Sequence, residues 1–110
     1  MTEQLPAPIR AVVDATNAGD TEAFVAAFTD DATINDWGRE FTGHDGARSW
    51  DRTDNIGVHA HFEVEDVVAG PGPDEYTVTL TVTSQRFNGT GPVRFTVRDG
   101  LVSALRIDPS

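Results

Sequence analysis

Residues 17–38, NAGDTEAFVAAFTDDATINDWG, lead from the end of one predicted helix through a second helix into a strand. Gly19 predicts the end of the first helix, because a glycine just past the last turn adopts the left-handed conformation without strain. Asp20 predicts the N-cap of the second helix, and Glu22 lies favourably near the positive end of its dipole. The apolar face of this second helix comprises Phe24, Ala27 and Phe28. Residues 32–37 then predict a short strand.

Helical patterns flank this stretch on both sides. The apolar residues that precede it recur at the spacing of one buried helix face, and they are Leu5, Ile9, Val12, Val13 and Thr16. On the other side, a turn at Gly38 predicts that residues 39–42 return as a weak second strand. Gly43 and Asp45 open a third predicted helix.

The second half of the chain alternates between apolar and polar residues, which is typical of strands. Residues 58–68 and 75–87 show this period most clearly. In 75–87 one face carries Tyr76, Val78, Leu80 and Val82, and the other carries Thr77, Thr79, Thr81 and Thr83. Two further strands, joined by a hairpin turn at Asp99 and Gly100, complete an α+β pattern with three N-terminal helices packed on a curved antiparallel sheet. Such a fold leaves room for a small-molecule pocket between the helices and the sheet.

Composition excludes several classes of protein. A chain of 110 residues buries enough surface for one core, so we predict a single domain spanning residues 1–110. Its net charge of −10 argues against binding to nucleic acid or to an anionic membrane surface. The chain contains neither cysteine nor lysine, which excludes disulfides, thiol nucleophiles and Schiff-base catalysis. The first residues show no signal-peptide pattern, so we expect a cytoplasmic protein, and no motif calls for a cofactor.

The order of these elements resembles the NTF2-like superfamily. The stretch 17–38 is similar to the opening of its ketosteroid isomerase and SnoaL-like polyketide cyclase branch. FTGHDGARSW at 41–50 is similar to that group's third helix, and FTVRDGLVSALRID at 95–108 to its last hairpin. The resemblance implies a cone-shaped NTF2-like (cystatin-like) barrel that commonly forms a homodimer. It also implies an uncertain enzyme status, because this superfamily includes many chemistries and many proteins without catalytic activity.

Asp36 is the candidate catalytic residue that the resemblance implies. In ketosteroid isomerases the general base is an aspartate in the strand after the second helix, and ATIND at 32–36 places Asp36 there. Asp36 also shares its strand face with Ile34, so its carboxylate is expected to point towards the core. The enzyme's tyrosine position is Val12 here, and its second acid falls near Pro92 or Val93. Its oxyanion-stabilising pair is therefore missing from this chain.

Other donors must replace that pair if Asp36 removes a proton. The candidate oxyanion donors are Tyr76, His44, Asn35 and the indole N–H groups of Trp37 and Trp50. The predicted pocket is lined by Val12, Phe24, Phe28, Trp37, Trp50, Phe62 and Tyr76. This lining predicts an uncharged, largely apolar ligand. The corresponding reaction is proton abstraction next to a carbonyl group by a cofactor-independent isomerase, cyclase or dehydratase.

Several alternatives stay open at this point. The fold could be a non-catalytic small-molecule-binding or interaction module, and an Asp36 exposed to water or paired with an arginine would favour that interpretation. Epoxide opening needs an aspartate, an arginine and a second aspartate that converge on one site. The sequence contains no motif that indicates such a set. His59 and His61 share a strand face, but two histidines alone predict no metal site. The flat row of four threonines predicts a homodimer contact.

Overall fold

A computed structural model describes residues 5–108 of the chain. Within them the helices and strands follow one another as α1 (Ala7–Ala18), α2 (Thr21–Ala26), β1 (Phe28–Asp36), β2 (Arg39–Thr42), α3 (Gly43–Asp54), a 3₁₀ turn (Ile56–Val58), β3 (His61–Ala69), β4 (Glu75–Thr83), β5 (Gly89–Arg98) and β6 (Leu101–Ile107). This order confirms the predicted α+β class, with three helices preceding most of a curved, unclosed sheet.

The junction between α1 and α2 forms as its sequence predicts. Gly19 adopts the left-handed conformation with φ of 70°, and its N–H donates to the carbonyl of Thr16 over 3.1 Å. Asp20 caps α2, because its Oδ1 accepts a hydrogen bond from the N–H of Ala23 over 3.0 Å. The two helices therefore meet at a sharp corner, with their apolar faces turned to the same core.

The predicted boundary between α2 and the first strand is wrong. Phe28 belongs to β1, although its spacing from Phe24 fits a continued helix face. Phe28 pairs with Val102 of β6, and the N–H of Val102 donates to the carbonyl of Ala27 over 2.9 Å. Pairing with a distant strand thus ends the helix earlier than the local pattern indicates.

The six strands form one sheet in the order β2-β1-β6-β5-β4-β3. Neighbouring pairs are antiparallel except β1 and β6, which run parallel. The sheet is therefore mixed, and the prediction that it is antiparallel throughout needs correction. More than half of the chain separates the end of β1 from the start of β6, so no tight turn forces them to run in opposite directions.

The strand predicted from residue 58 begins later, at His61. Residues Ile56–Val58 form a 3₁₀ turn, and His59 has a left-handed φ of 58° that is incompatible with a strand. A bulge between Val64 and Asp66 then shifts the register of β3 against β4. As a result Val67 is buried and Val68 is exposed.

The helices cover one face of the sheet and close the core. Ile9 and Val12 of α1 are fully buried, as is Phe24 of α2. The Phe24 ring lies 5.0 Å from the Phe28 ring and 6.0 Å from Trp50 of α3, measured between ring centroids. These aromatic contacts fix α3 over the sheet and so position the wall of the cavity described below. Within residues 5–108 no helix has the length and apolar character needed to cross a membrane.

Candidate active site

A cavity of about 430 Å³ opens between α3 and the end of the sheet where β1, β4 and β6 finish. Its wall is largely apolar and comprises Trp50, Phe62, Leu80, Val82, Val93, Phe95, Leu105 and Ile107. Five charged side chains also line it, namely Asp108 and a mutually paired set of four, Asp36, Arg39, Asp54 and Arg86. We call these four residues the charged cluster. A volume of this size accommodates a molecule of several rings.

Asp36 lies in the charged cluster at the end of β1. Its Oδ2 accepts one hydrogen bond from Arg39 Nη2 over 2.7 Å and a second from Trp50 Nε1 over 3.0 Å. None of the described residues donates to Oδ1. The Asp36 side chain is 16% exposed. One carboxylate oxygen is therefore held in place while the other has no protein donor, an arrangement that suits an oriented proton acceptor.

Asp54 joins the two arginines of the charged cluster. Its Oδ1 lies 3.0 Å from Arg39 Nη2 and 3.2 Å from Arg86 Nε, and its Oδ2 accepts from Thr53 Oγ1 over 2.7 Å. Burial by itself would raise the pKa of the Asp54 carboxyl. The hydrogen bonds from Arg39 and Thr53 and the charges of both arginines outweigh burial, so the pKa lies below its ordinary value. Asp54 is therefore ionised at neutral pH.

The turn between β1 and β2 carries Trp37 to the cavity. Asp36 pairs with Arg39, so the turn has two residues, Trp37 with φ of 54° and Gly38 with φ of 87°. Two successive positive φ angles characterise a type I′ turn, where asparagine or glycine is the usual first residue. The Asn35 side chain accepts from the Gly38 N–H over 3.1 Å, and the Trp37 N–H donates to the Ile107 carbonyl over 2.9 Å. These bonds hold Trp37 in a conformation that is uncommon for a bulky side chain.

The connection between β4 and β5 carries Arg86 and Phe87 to the same cavity. Ser84 Oγ accepts from the N–H of Arg86 over 3.1 Å and from that of Phe87 over 2.8 Å. The side chain of Asn88 accepts from the Ser84 N–H over 3.0 Å. The connection is therefore a closed loop stabilised by its own side chains, with Arg86 reaching back to Asp54.

A buried polar network lies behind the charged cluster. Asp51 is 1% exposed and accepts from Thr21 Oγ1 over 2.9 Å and from Asn55 Nδ2 over 3.0 Å. Asn55 Nδ2 also donates to Thr16 Oγ1 over 3.0 Å, which ties α3 to α1. Asn55 is fully buried beside the cavity, and its Oδ1 has no hydrogen-bond partner among the described residues. This network fixes the end of α3 that carries Asp54.

The structure brings only some of the predicted site residues together. Asp36, Trp37, Trp50 and Phe62 line the cavity. Val12, Phe24 and Phe28 belong to the buried core behind it and do not line it. Tyr76 lies near the other end of β4, paired with Phe95 and Ala69, and does not reach the cavity either.

The predicted oxyanion donors lie elsewhere. His44 Nε2 is 2.9 Å from the carbonyl of Phe28, outside the cavity lining, and Asn35 supports the β1–β2 turn. Of the predicted donors, only the Trp37 and Trp50 side chains line the cavity, and the Trp50 indole N–H is already bonded to Asp36. Among residues 5–108, no group of three or more metal-ligating side chains could hold a metal ion.

Sequence reasoning missed Arg39, Asp54, Arg86 and Phe87 as site residues. Asp54 follows Trp50 by four positions, so helical spacing alone places both on one face of α3. Arg39 is three residues from Asp36 across a predicted turn, and an arginine partner for Asp36 is one of the alternatives that the sequence leaves open. Arg86 and Phe87 fall in the predicted strand 75–87, but β4 ends at Thr83, so both residues lie in a loop, and a loop sequence does not reveal which distant side chains it contacts.

The chain is similar to a known domain family and to several solved structures. The profile of the SnoaL-like domain matches residues 9–105. A candidate polyketide cyclase from Sinorhizobium meliloti is 25% identical, with a TM-score of 0.82 over 93% of this chain and 94% of that one. A Δ5-3-ketosteroid isomerase from Mycobacterium sp. is 21% identical, with a TM-score of 0.76 over 91% and 88% of the two chains.

A third solved structure contains a steroid derivative. It is a Mycobacterium tuberculosis protein in complex with estradiol-17beta-hemisuccinate, 22% identical, with a TM-score of 0.77 over 94% of this chain and 92% of that one. At this identity the likeness shows the fold alone. Among curated protein sequences, none matches this chain significantly.

Proposed function

The chain belongs to the SnoaL-like domain family, and from that premise we propose that it binds a small, largely apolar carbonyl compound and isomerises or cyclises it. Asp36 acts as the general base and removes a proton from the carbon next to the carbonyl group. The observation that carries this proposal is the position of Asp36 on an apolar cavity, with Oδ2 fixed by Trp50 and Arg39 and no donor on Oδ1.

The proposed reaction assigns a role to each neighbour of Asp36. Oδ1 accepts the proton, and the hydrogen bonds to Oδ2 keep the carboxylate oriented towards the ligand. The negative charge that develops on the substrate oxygen needs a positive or hydrogen-bonding group close by. The guanidinium groups of Arg39 and Arg86 line the same cavity and are the charged candidates for that role.

One observation favours a second candidate function, ligand binding without catalysis. Arg39 Nη2 lies 2.7 Å from Asp36 Oδ2, so the Asp36 carboxylate has an ion-pair partner within the protein, which explains its position without a catalytic role. An Asp–Arg–Asp set also exists here, formed by Asp36, Arg39 and Asp54. Epoxide opening by that set needs one carboxyl in its protonated form, and the lowered pKa of Asp54 keeps this carboxyl ionised at neutral pH, so Asp54 does not supply that proton.

The test separates binding from proton transfer. A ketosteroid and a flavanone serve as probes, binding is followed by calorimetry, and exchange of hydrogens next to the carbonyl is followed by NMR in D₂O. Asp36→Asn is expected to bind the probes normally and to lose at least about 100-fold in exchange rate. Asp108→Asn is the matched control, because Asp108 is another carboxylate of the cavity lining, paired with Arg94 and Arg106.

Each outcome has a defined meaning. Normal exchange in Asp36→Asn removes Asp36 from the mechanism. Binding without exchange in the wild-type protein supports the non-catalytic function. Equal losses in Asp36→Asn and Asp108→Asn indicate a general electrostatic effect rather than a base at Asp36.

We also propose that the protein forms a homodimer through the outer face of the sheet. The threonines of β4 lie on this face, opposite the cavity side, between the edge strand β3 and strand β5. Acidic residues follow on β3 (Glu63, Glu65 and Asp66), and basic residues lie on β5 and β6 (Arg94 and Arg106). A twofold axis through the threonine row brings the acidic strand of one copy opposite the basic strands of the other, which supports this arrangement.

A further inference from the structure

We propose that Trp37 and Phe87 form a two-sided aromatic clamp on the ligand, and that the cavity therefore takes an elongated apolar molecule of several rings. The proposal rests on the ligand-binding function above and deepens it. The inner part of the ligand lies against the apolar wall, and its outer part lies between these two side chains.

The distribution of exposed apolar side chains supports the clamp. Among residues 5–108, three large hydrophobic side chains are exposed, namely Trp37 at 58%, Phe87 at 55% and Val68 at 51%. Trp37 and Phe87 both line the cavity, whereas Val68 does not. Exposed aromatic side chains beside an apolar cavity favour ligand binding, because the ligand removes their apolar surface from water.

The two side chains come from different parts of the chain and approach the same opening. Trp37 follows β1 and Phe87 follows β4, and two strands, β6 and β5, separate β1 from β4 in the sheet. The ring of Phe87 lies against Gly89, where a Cβ atom would come within 3.0 Å of the ring tip. Glycine at 89 thus leaves the space in which the Phe87 ring rests.

Both aromatic segments are fastened to one carboxylate. Arg39, at the end of the turn that carries Trp37, lies 3.0 Å from Asp54, and Arg86, next to Phe87, lies 3.2 Å from the same oxygen. Asp54 itself is anchored on α3. The spacing of the clamp is therefore set by ion pairs to a rigid helix rather than by the loops alone.

The backbone of Trp37 indicates that this side chain is retained for more than folding. A tryptophan with φ of 54° occupies the turn position at which asparagine or glycine is preferred. Its side chain is exposed, so burial in the folded chain does not offset that strain. In the proposed clamp, contact between the Trp37 side chain and the ligand supplies the favourable free energy that offsets this strain.

The test compares a multi-ring ligand with a single-ring ligand in three variants. Calorimetry measures the affinity of a ketosteroid and of cyclohexenone for Trp37→Asn, Phe87→Ala and the control Val68→Ala. We expect each clamp variant to bind the ketosteroid about tenfold more weakly and to bind cyclohexenone normally, because a single ring does not reach the clamp. Val68→Ala should match the wild type for both ligands.

The melting temperature distinguishes the clamp from a purely structural role of Trp37, because a structural role predicts lower stability in Trp37→Asn. Trp37→Asn creates an Asn-Gly turn, so its melting temperature should equal or exceed that of the wild type while its affinity falls. Lower stability with unchanged affinity overturns the clamp. A change in oligomeric state with unchanged affinity overturns it too, because the aromatic pair would then contact a second copy.

The clamp and the proposed catalytic function fail in different ways. Normal exchange activity in Asp36→Asn overturns the catalytic role of Asp36 and leaves the clamp unaffected, since the clamp is measured by affinity alone. Equal affinity of the wild type and both clamp variants for the ketosteroid overturns the clamp and leaves Asp36 unaffected. Failure of the wild type to bind either probe overturns the clamp and the binding function together.

Discussion

Replacing Asp54 with asparagine tests whether this carboxylate holds the opening of the cavity together. The Asp54 side chain is 6% exposed, and it contacts Arg39, Arg86 and Thr53. Hydrogen bonds between charged groups contribute about 1.5–3 kcal/mol, and the partial exposure of the two arginines reduces that value. We therefore expect Asp54→Asn to lower the free energy of unfolding by about 1–2 kcal/mol at neutral pH, or about 4–8 °C in melting temperature.

The pH dependence of this loss follows from the direction of the pKa shift. The folded-state pKa of Asp54 lies below its unfolded value, so the folded state favours the ionised carboxylate. Its stabilising contribution is complete above the unfolded pKa, which is about 3.9, and it is lost as the pH falls through the folded pKa. The difference in stability between wild type and Asp54→Asn should therefore be constant at neutral pH and shrink below about pH 4.

Urea denaturation from pH 7 to pH 2.5 measures both the size of the effect and its pH dependence. Asp31→Asn serves as the control, because Asp31 also has a lowered pKa, from its hydrogen bonds with Arg98 and Thr29, yet its side chain is 68% exposed. The control should unfold close to the wild type. Equal stability of Asp54→Asn and wild type at pH 7, or a difference that persists unchanged at the lowest pH, would refute this reasoning.

Three further perturbations test other parts of the structure. Asn17→Ala should lower the free energy of unfolding by about 1–2 kcal/mol in urea, because its amide bonds both the N–H and the carbonyl of Phe62; an unchanged midpoint contradicts this. Gly57→Ala should abolish cooperative thermal unfolding, since a Cβ would lie 1.6 Å from the carbonyl oxygen of Arg52, whereas Gly91→Ala meets nothing within 4 Å and should fold normally. Thr79→Arg should convert the dimer to a monomer in sedimentation velocity, and added salt should weaken the wild-type dimer; a wild-type monomer at every concentration contradicts the proposed interface.

Local sequence patterns predicted the structure correctly wherever that structure depends on residues close together in the chain. The Gly19–Asp20 corner, the alternation of β4 and the turn at Asp99 and Gly100 all depend on backbone preferences within a few positions, and all three form as predicted. The same logic failed at Phe28. There the helical pattern of α2 competes with pairing to Val102, which no local window contains.

The candidate site was less predictable because distant segments assemble it. Asp36 could be placed by resemblance and by its shared face with Ile34, and Trp50 by its position on α3. The partners of Asp36 could not be placed, because Arg39, Asp54 and Arg86 meet only after the β1–β2 turn, α3 and the β4–β5 loop have packed together. Tyr76 shows the converse error, since it shares an inward face with Val82 and pairs with Phe95, yet it does not line the cavity as those two residues do.

The charge balance of the cavity argues for an uncharged ligand. The chain has a net charge of −10, yet the charged cluster pairs two aspartates with two arginines and is formally neutral. A permanently anionic ligand competes with Asp54 and Asp36 for the two arginines and is repelled by the net negative charge of the protein. A cationic ligand finds both carboxylates of the cluster already partnered. An uncharged molecule avoids both costs, because it can use the apolar wall while the ion pairs stay intact.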